Sequence, residues 1–410
     1  MSAETASGGG GFDPGSMRRH FAILAREIAW LDNAATTQRP EPVLKAMDQF
    51  YRLHNANPRR SVHRLGTEAT AAYEGARATV AGFIGAGAPE EIAFTSGATA
   101  SINLVVYGLA RWEIGPGDEV WVTALEHHSN WVPWQQAARA VGATLKVVPL
   151  QPDGRLDLAA FRKGLAAHRA KWVAAAWVSN VLGAANDVPA ICAAAHEAGA
   201  RVLVDGAQGV AHLPTNVAAL GCDFFAFSGH KAYGPMGIGA LWGRRELLEQ
   251  MEPMIYGGEM IARVDDATST WAEVPHRFEG GTPNAAGAVG LAAAIEWLRA
   301  LPAAAHAHVA ALAREAAEEL AALKGVRVWG PADGRVSLVS FSVEGVHAHD
   351  VAQVLDGRGV AVRAGHMCAQ PLMRRLGIES AVRASFAPYN VRDEIRRLKD
   401  GVRAAQELFT

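Results

Sequence analysis

A lysine, a carboxylate and two short polar segments are spaced along this chain in a way that suits one kind of organic cofactor. Lys231 stands in FSGHKAYGP directly after an apolar run and is flanked by Gly229, Gly234 and Pro235, so its amine is presented where a strand ends. Twenty-six residues earlier the run VLVD closes on Asp205, which puts a carboxylate at the carboxyl edge of another strand. Ser96, Gly97, Ala98 and Thr99 lie where EIAF gives way to a helical pattern, and the free N–H groups at a helix start are a phosphate site. Glu126, His127 and His128 follow the strand DEVWVT and bring an imidazole to the same edge. Taken singly, each has a plain reading: a strand-end cap, a solvated amine, a Ser/Thr N-cap. The adjacent histidines lack a further ligand at suitable spacing, so no metal site is expected. Taken together they supply an amine for a Schiff base, an acid to keep a pyridine nitrogen protonated, a ring to stack on the pyridine and donors for a phosphate. Those are the requirements of pyridoxal 5'-phosphate (PLP).

The elements that must position these groups are legible in the same stretch. From Ile92 to about Trp242, short β-branched or aromatic runs alternate with helical patterns, which specifies βαβ units and a mostly parallel sheet with helices on both faces. DFFAFS and GIGALWG then follow one another with little helix between them, a break that predicts a strand reversal inside the sheet. Ala-rich helices after Gly287 lead to a second pattern: RVSLVSFSVEG, a helix from about His349 to Gly357, GVAVRAG, AVRASF, and a closing helix to Thr410. The expected fold class is α/β, a large domain with a mostly parallel sheet and a smaller α+β C-terminal domain. Residues 1–15 are expected to be a disordered tail and 16–30 an N-terminal segment packing with the small domain. The large cofactor-binding domain is expected over 31–298 and the small domain, carrying the Cys368 loop, over 299–410. Ligands bind such open sheets at the strand ends, beneath the small domain here.

Composition narrows the partners. The 410 residues carry a formal charge of -2 with Lys and Arg scattered, so there is no basic footprint for nucleic acid or an anionic membrane. The Gly- and Ser-rich start lacks the cationic and apolar regions of a signal peptide. The later Ala-rich segments are interrupted by Glu296, Arg299, Arg314 and Glu315, short of the roughly 20 apolar residues that span a bilayer. The three cysteines, Cys192, Cys222 and Cys368, form no C-x-x-C pair, which fits a reduced, cytoplasmic protein. Cys192 and Cys222 sit in apolar patterns and read as small buried hydrophobes.

LDNAATTQRP, EHHSNWVPWQ, VSNVLGAANDV, VLVDGAQ, FSGHKAYGPMGIG, RFEGGTPN and VRAGHMCAQP follow one another over nearly the whole chain. On these stretches the chain resembles the class V aminotransferase family of PLP fold type I, and within it the group II, SUF-type cysteine desulfurases and selenocysteine lyases. The resemblance implies that Lys231 holds the cofactor, Asp205 its pyridinium, and His127 stacks on its ring. It implies Asn180 and Gln208 near the phenolic oxygen and Gly97, Ala98, Thr99, Ser228 and His230 at the phosphate. Thr282 of GGTPN matches a residue that reaches the phosphate from a second subunit, which implies a homodimer. Ala35, the RSVHRLG segment with Arg60 and His63, and Arg363 match residues that line the substrate pocket, and Arg383 matches the one that takes the substrate carboxylate. In the phosphate loop, Ala98 replaces a second Thr and Ala100 an acidic residue of many relatives, so one hydroxyl donor is lost.

PLP alone would also serve transamination, racemisation or C–C lysis; Cys368 separates these. It lies in RAGHMCAQP, with Gly365 permitting a tight approach and Arg363 and His366 near enough to favour a thiolate. The resemblance implies that this thiol attacks the γ-sulfur of L-cysteine, releasing L-alanine and leaving a persulfide for a SufE- or SufU-type acceptor in iron–sulfur cluster assembly, with L-selenocysteine as a second substrate. Two alternatives stay open: another class V enzyme, such as a kynureninase-like lyase or an epimerase, or a non-catalytic PLP-fold scaffold.

Overall fold

The computed structural model describes residues 12–59, 61–166 and 169–409. After a short strand β1 (Ala29–Trp30), the chain lays down the seven strands of its main sheet: β2 (Ile92–Thr95), β3 (Glu119–Thr123), β4 (Thr144–Val148), β5 (Ala170–Ala176), β6 (Arg201–Asp205), β7 (Phe224–Ser228) and β8 (Gly239–Gly243). Their order in space is β2-β8-β7-β6-β5-β3-β4, and β8 runs antiparallel to both of its neighbours while the other pairs are parallel. The reversal falls at the predicted break between DFFAFS and GIGALWG. A parallel sheet covered on both faces can be apolar on both, and β7 is buried at every residue. Its side chains alternate with the period of two that a strand imposes: Phe225 and Phe227 enter one core cluster, Phe224 and Ala226 the other.

A hairpin of β9 (Ile261–Val264) and β10 (Ser269–Trp271), not anticipated from the sequence, follows the main sheet. The C-terminal part contributes β11 (Val326–Trp329), β12 (Leu338–Val343), β13 (Val360–Ala361), β14 (Arg363–Gly365) and β15 (Ala381–Ser385). Four of these form an antiparallel sheet in the order β11-β12-β15-β14. The helices Ala303–Ala321, Ala348–Asp356 and Arg392–Phe409 supply Leu320, Val351 and Leu398 to a cluster with Phe341 and Val382 of that sheet.

The predicted tail through residue 15 is corrected at its end. Asp13 accepts hydrogen bonds from Gly15 N (2.9 Å) and Ser16 N (3.1 Å) and starts a helix over Pro14–Arg18. The reason is local: an Asp N-cap followed by Pro at the first helical position is a helix start. Residues 1–11 lie outside the described residues. Downstream, Arg18 Nη1 pairs with Glu394 Oε1 at 2.9 Å, Phe21 packs on Tyr389 with ring centroids 4.5 Å apart, and β1 pairs in parallel with β13. Thr410, the predicted end of the last helix, is likewise outside the described residues. Among the described residues no single helix is long and apolar enough to cross a membrane.

Candidate active site

A cavity of about 340 Å³ opens where β3, β5, β6 and β7 end. The main sheet and its turns line it with Lys231, Asp205, His127 and Asn180; the second sheet and its loop add Arg363, Cys368 and Arg383. Residues far apart in sequence are thus gathered at the edge where open α/β sheets bind ligands.

Lys231 sits on the single turn Gly229–Lys231 that follows β7. Burial lowers the pKa of its amine, with Asp205 acting in the opposite direction. Burial raises the Asp205 carboxyl, while Lys231 and the Ala207 N–H, donated to Oδ1 at 2.9 Å, favour its ionised form. Burial thus favours the neutral form of each group, and the opposite charge of the other favours its ionised form.

His127 is fixed by its neighbours. Its Nδ1 accepts from Ser129 N at 3.1 Å and lies 2.9 Å from Ser129 Oγ, and that hydroxyl is 2.6 Å from Thr99 Oγ1. Burial first, then Lys231, His128 and Arg383, push the imidazole pKa down to about 3. The ring is therefore neutral near pH 7, with its one proton on Nε2 because Nδ1 is an acceptor. Under it lies Glu126, buried, which receives Thr123 Oγ1 (2.5 Å), Ala176 N (2.6 Å) and Asn130 Nδ2 (2.7 Å). Burial pushes that carboxyl up to about 8 against these donors. The hydrogen bonds tie the turn after β3 to the end of β5.

At the other end of the cavity, Gly97 precedes the helix Ala98–Val105 with φ 147° and has no side chain with which to cap it. A side chain at that φ would be strained, and a Cβ would stand 3.1 Å from Ser228 Oγ. Ser228 Oγ accepts from Ala98 N at 2.8 Å, and Ala98, Thr99, Ser228 and His230 line the cavity. Burial, then Lys231 and Arg39, lower the His230 pKa to about 4. Ala34 and Ala35 line the cavity as well, held from below by Gln208, whose Nε2 donates to Ala34 O at 2.7 Å. Gln208 does not itself line it.

Two predicted pocket residues lie elsewhere. His63 caps the helix Arg64–Ile84, its Nδ1 accepting from Gly66 N at 3.1 Å, and does not line this cavity of its own chain. A polar residue just before a helix serves its free N–H groups first. Arg60 lies outside the described residues. Thr282 lines a separate cavity of about 300 Å³ together with Phe94, Ile238 and Met254.

Cys368 is exposed, whereas Cys192 and Cys222 are buried, as their apolar settings predict; burial pushes the Cys192 thiol up to about 12. The Cys368 loop is a strained turn: Gly365, Met367 and Cys368 have φ of 112°, 46° and 54°. Non-glycine residues in the left-handed region cost on the order of 1–3 kcal/mol each and persist only when the surroundings hold them. Here the surroundings do. Cys368 N donates to His366 Nδ1 (3.1 Å), Cys368 O accepts from His128 N (2.7 Å), Met367 O accepts from Asn180 Nδ2 (2.8 Å) and Gln370 N donates to His128 Nε2 (3.1 Å).

Arg383 is buried and donates through Nη1 to Asn180 O (2.8 Å) and through Nη2 to Asp32 Oδ1 (3.3 Å). Among the described residues, its Nε and Asn180 Oδ1 are buried without a partner. Both belong to residues lining the cavity, so a ligand with an anionic group and a donor would satisfy them. With an amine, an acid, a neutral ring and a helix start flanked by the hydroxyls of Thr99 and Ser228 in one cavity, the residues present fit PLP. Sequence reasoning missed Ser129 and Asp32. Ser129 was within reach as a hydroxyl two residues from His127; Asp32 lies in LDNAATT, a stretch with no chemistry of its own to flag it. Among the described residues no group of three His, Cys, Asp or Glu could hold a metal ion.

Known proteins agree with this geometry. The family described as Aminotransferase class-V matches residues 29–398. A probable cysteine desulfurase of Halalkalibacterium halodurans is 49% identical over 399 residues, covering 96% of this chain and 98% of its own length. A cysteine desulfurase of Haloferax volcanii is 46% identical, covering 97% and 98%. The crystal structure of the Escherichia coli cysteine desulfurase CsdA, in an S-sulfonic acid form, superposes with a TM-score of 0.91 at 41% identity, over 97% of this chain and 100% of that one.

Proposed function

The chain belongs to the class-V aminotransferase family, and from that membership we propose that it is a PLP-dependent cysteine desulfurase, converting L-cysteine to L-alanine and retaining the sulfur as a persulfide on Cys368. The observation that carries the reading is one cavity lined by both Lys231 and the thiol-bearing Cys368. Lys231 would carry the cofactor, Asp205 would hold the proton of its pyridine nitrogen, His127 would cover its ring, and Thr99, Ser228 and the first amides of the helix Ala98–Val105 would take its phosphate. When bound, PLP supplies an electron sink next to the substrate α-carbon, which lets the carbon–sulfur bond break.

The protein's own residues do the rest. Arg383, whose Nε has no partner among the described residues, receives the substrate carboxylate and orients the side chain toward Cys368. The amine of Lys231, lowered by burial, removes and returns the proton on the α-carbon. Cys368 Sγ, as thiolate, bonds to the substrate sulfur; the Cβ–S bond breaks, its electron pair stays with carbon, and a proton completes the methyl group of alanine.

The same reading includes a homodimer in which Thr282 reaches the phosphate of the partner's cofactor, supported by its position away from its own cavity. It includes a SufE- or SufU-type acceptor that collects the sulfur for iron–sulfur cluster assembly, supported by the exposure of Cys368, and L-selenocysteine as a second substrate. Residues 31–298 and 299–410 are taken as two domains, supported by the separate sheets. The test is mass spectrometry after brief exposure of the holoenzyme to L-cysteine. A gain of one sulfur on the Cys368 peptide is expected; alanine formation that survives Cys368→Ala undiminished sinks the reading.

A further inference from the structure

His127 lines the cavity, whereas the next residue, His128, turns to the Cys368 loop. The backbone N–H of His128 donates to Cys368 O at 2.7 Å, and its ring nitrogen Nε2 accepts from Gln370 N at 3.1 Å. On the other side of the thiol, Cys368 N donates to His366 Nδ1 at 3.1 Å, and the two imidazole rings lie 5.6 Å apart between centroids. Gln370 begins the helix Gln370–Leu376, and Ala369 before it has no polar side chain with which to cap it. His128 supplies that acceptor from 242 residues away in sequence. A ring nitrogen accepts only where it carries no proton, so the one proton of His128 is on Nδ1. Burial first, then His366 and Arg374, lower its pKa from the ordinary histidine value, so the acceptor is present at neutral pH. The turn it braces is the one in which Met367 and Cys368 stand at φ of 46° and 54°.

We propose that His128 is a positioning residue for the sulfur step, whose Nε2 holds the Cys368 turn in its left-handed form. The inference rests on the desulfurase reading, in which Cys368 Sγ must reach the sulfur of a substrate bound over Lys231. One peptide bond joins the ring that faces the cavity to the ring that sets the thiol, so the two are kept in register. His128 does not itself line the cavity, and its side chain can be changed without touching cofactor or substrate.

The holoenzyme is compared as the native protein, His128→Ala, His128→Asn and His128→Gln, all of which keep the backbone N–H that donates to Cys368 O. The Gln amide oxygen can stand where Nε2 stands, whereas the Asn oxygen reaches only the level of Nδ1. Hydrogen exchange read by mass spectrometry should show the Gln370 amide exchanging about three- to tenfold faster in His128→Ala and His128→Asn, the change expected from one lost hydrogen bond, and near the native rate in His128→Gln. The rate of persulfide formation on Cys368 in a single turnover of L-cysteine should follow the same order, while the Kd of L-alanine, read from the cofactor absorbance, stays within about twofold throughout. Unchanged exchange in His128→Ala, equal behaviour of the Asn and Gln variants, or a sulfur step that ignores the exchange order overturns the proposal. So does L-alanine binding that weakens together with the sulfur step, which would make His128 a general structural support. A native holoenzyme that forms no persulfide counts against the desulfurase reading, while the exchange order of the variants still decides whether Nε2 holds the turn.

Discussion

Replacing Glu279 by Gln should destabilise the protein by roughly 3–5 kcal/mol, the cost of leaving a buried charge without its partner. Glu279 is buried just before the GGTPN loop, and its carboxylate accepts Arg77 Nη1 (2.7 Å) and Nη2 (2.9 Å), Tyr73 Oη (3.0 Å), Phe94 N (2.8 Å) and Arg59 Nη2. Arg77 is 1% exposed and cannot turn to water when its counter-ion is neutralised. Glu74, which also pairs with Arg77 at 2.7 Å, has a side chain 37% exposed, so Glu74→Gln should cost about 1 kcal/mol or less. Burial alone would raise the Glu279 carboxyl, but Arg77, with His276 and Arg59, overrides it and holds the group well below the ordinary carboxylate range. A folded pKa below the unfolded one, about 4.3, gives stability that is complete above that pH and lost as pH falls toward the folded value. The penalty of Glu279→Gln should therefore be full at pH 7 and shrink below about pH 4. Urea unfolding of both variants across that range measures it. A loss under about 1 kcal/mol at pH 7, or one that does not shrink in acid, would refute the argument that this carboxylate is ionised and indispensable to Arg77.

Lys231→Ala should fold with an unchanged circular dichroism spectrum but fail to keep a covalently attached cofactor after gel filtration; retention of the visible absorbance band in the variant would count against Lys231 as the attachment point. His127 and His230 titrate at about 3 and about 4 in the folded chain, below the unfolded value near 6.5. The unfolded state therefore binds protons first, and unfolding free energy should fall as pH drops from about 6.5 toward 4; a flat profile over that window would mean the rings are not held neutral.

The parallel sheet was legible because its inner strands are buried on both faces and so read as apolar runs, and the reversed β8 because it follows β7 without room for a helix. Lys231, Asp205 and His127 were legible for a related reason: each follows such a run directly, and a strand end in this fold class points at the ligand. What escaped was decided by tertiary pairing. β1 is two residues long and exists because β13 offers it a partner; no local pattern announces that. Asp32 acquires its importance from two arginines more than 300 residues away in sequence, and periodicity carries no information about such a partnership. His63 lies off the cavity of its own chain because the immediate helix start takes its ring nitrogen, and a motif match gives residue type without direction.

The placement of the thiol depends also on a joint between the two sheets. The segment Asn180–Gly183, just after β5, is bound at every residue to the second sheet or to the loop leading into β12: Arg383 Nη1 donates to Asn180 O (2.8 Å), Ser340 Oγ to Val181 O (2.5 Å), Arg335 Nη1 to Leu182 O (3.1 Å) and Val336 N to Gly183 O (3.0 Å). Gly183 has φ 71°, and a Cβ there would come within 2.8 Å of Leu338 O, so this approach requires glycine. The acceptors are backbone carbonyls, while three of the four donors are the side chains of Arg383, Ser340 and Arg335, which fix Asn180 relative to β15. Asn180 in turn holds Met367 O, one residue from the thiol. A strained loop bearing the reactive sulfur is thereby referenced to the sheet that carries Lys231 through a rigid chain of short contacts. Such a chain can keep Sγ at a constant distance from a substrate bound over Lys231, which a longer, unbraced loop could not do without spending binding energy on ordering itself at each turnover.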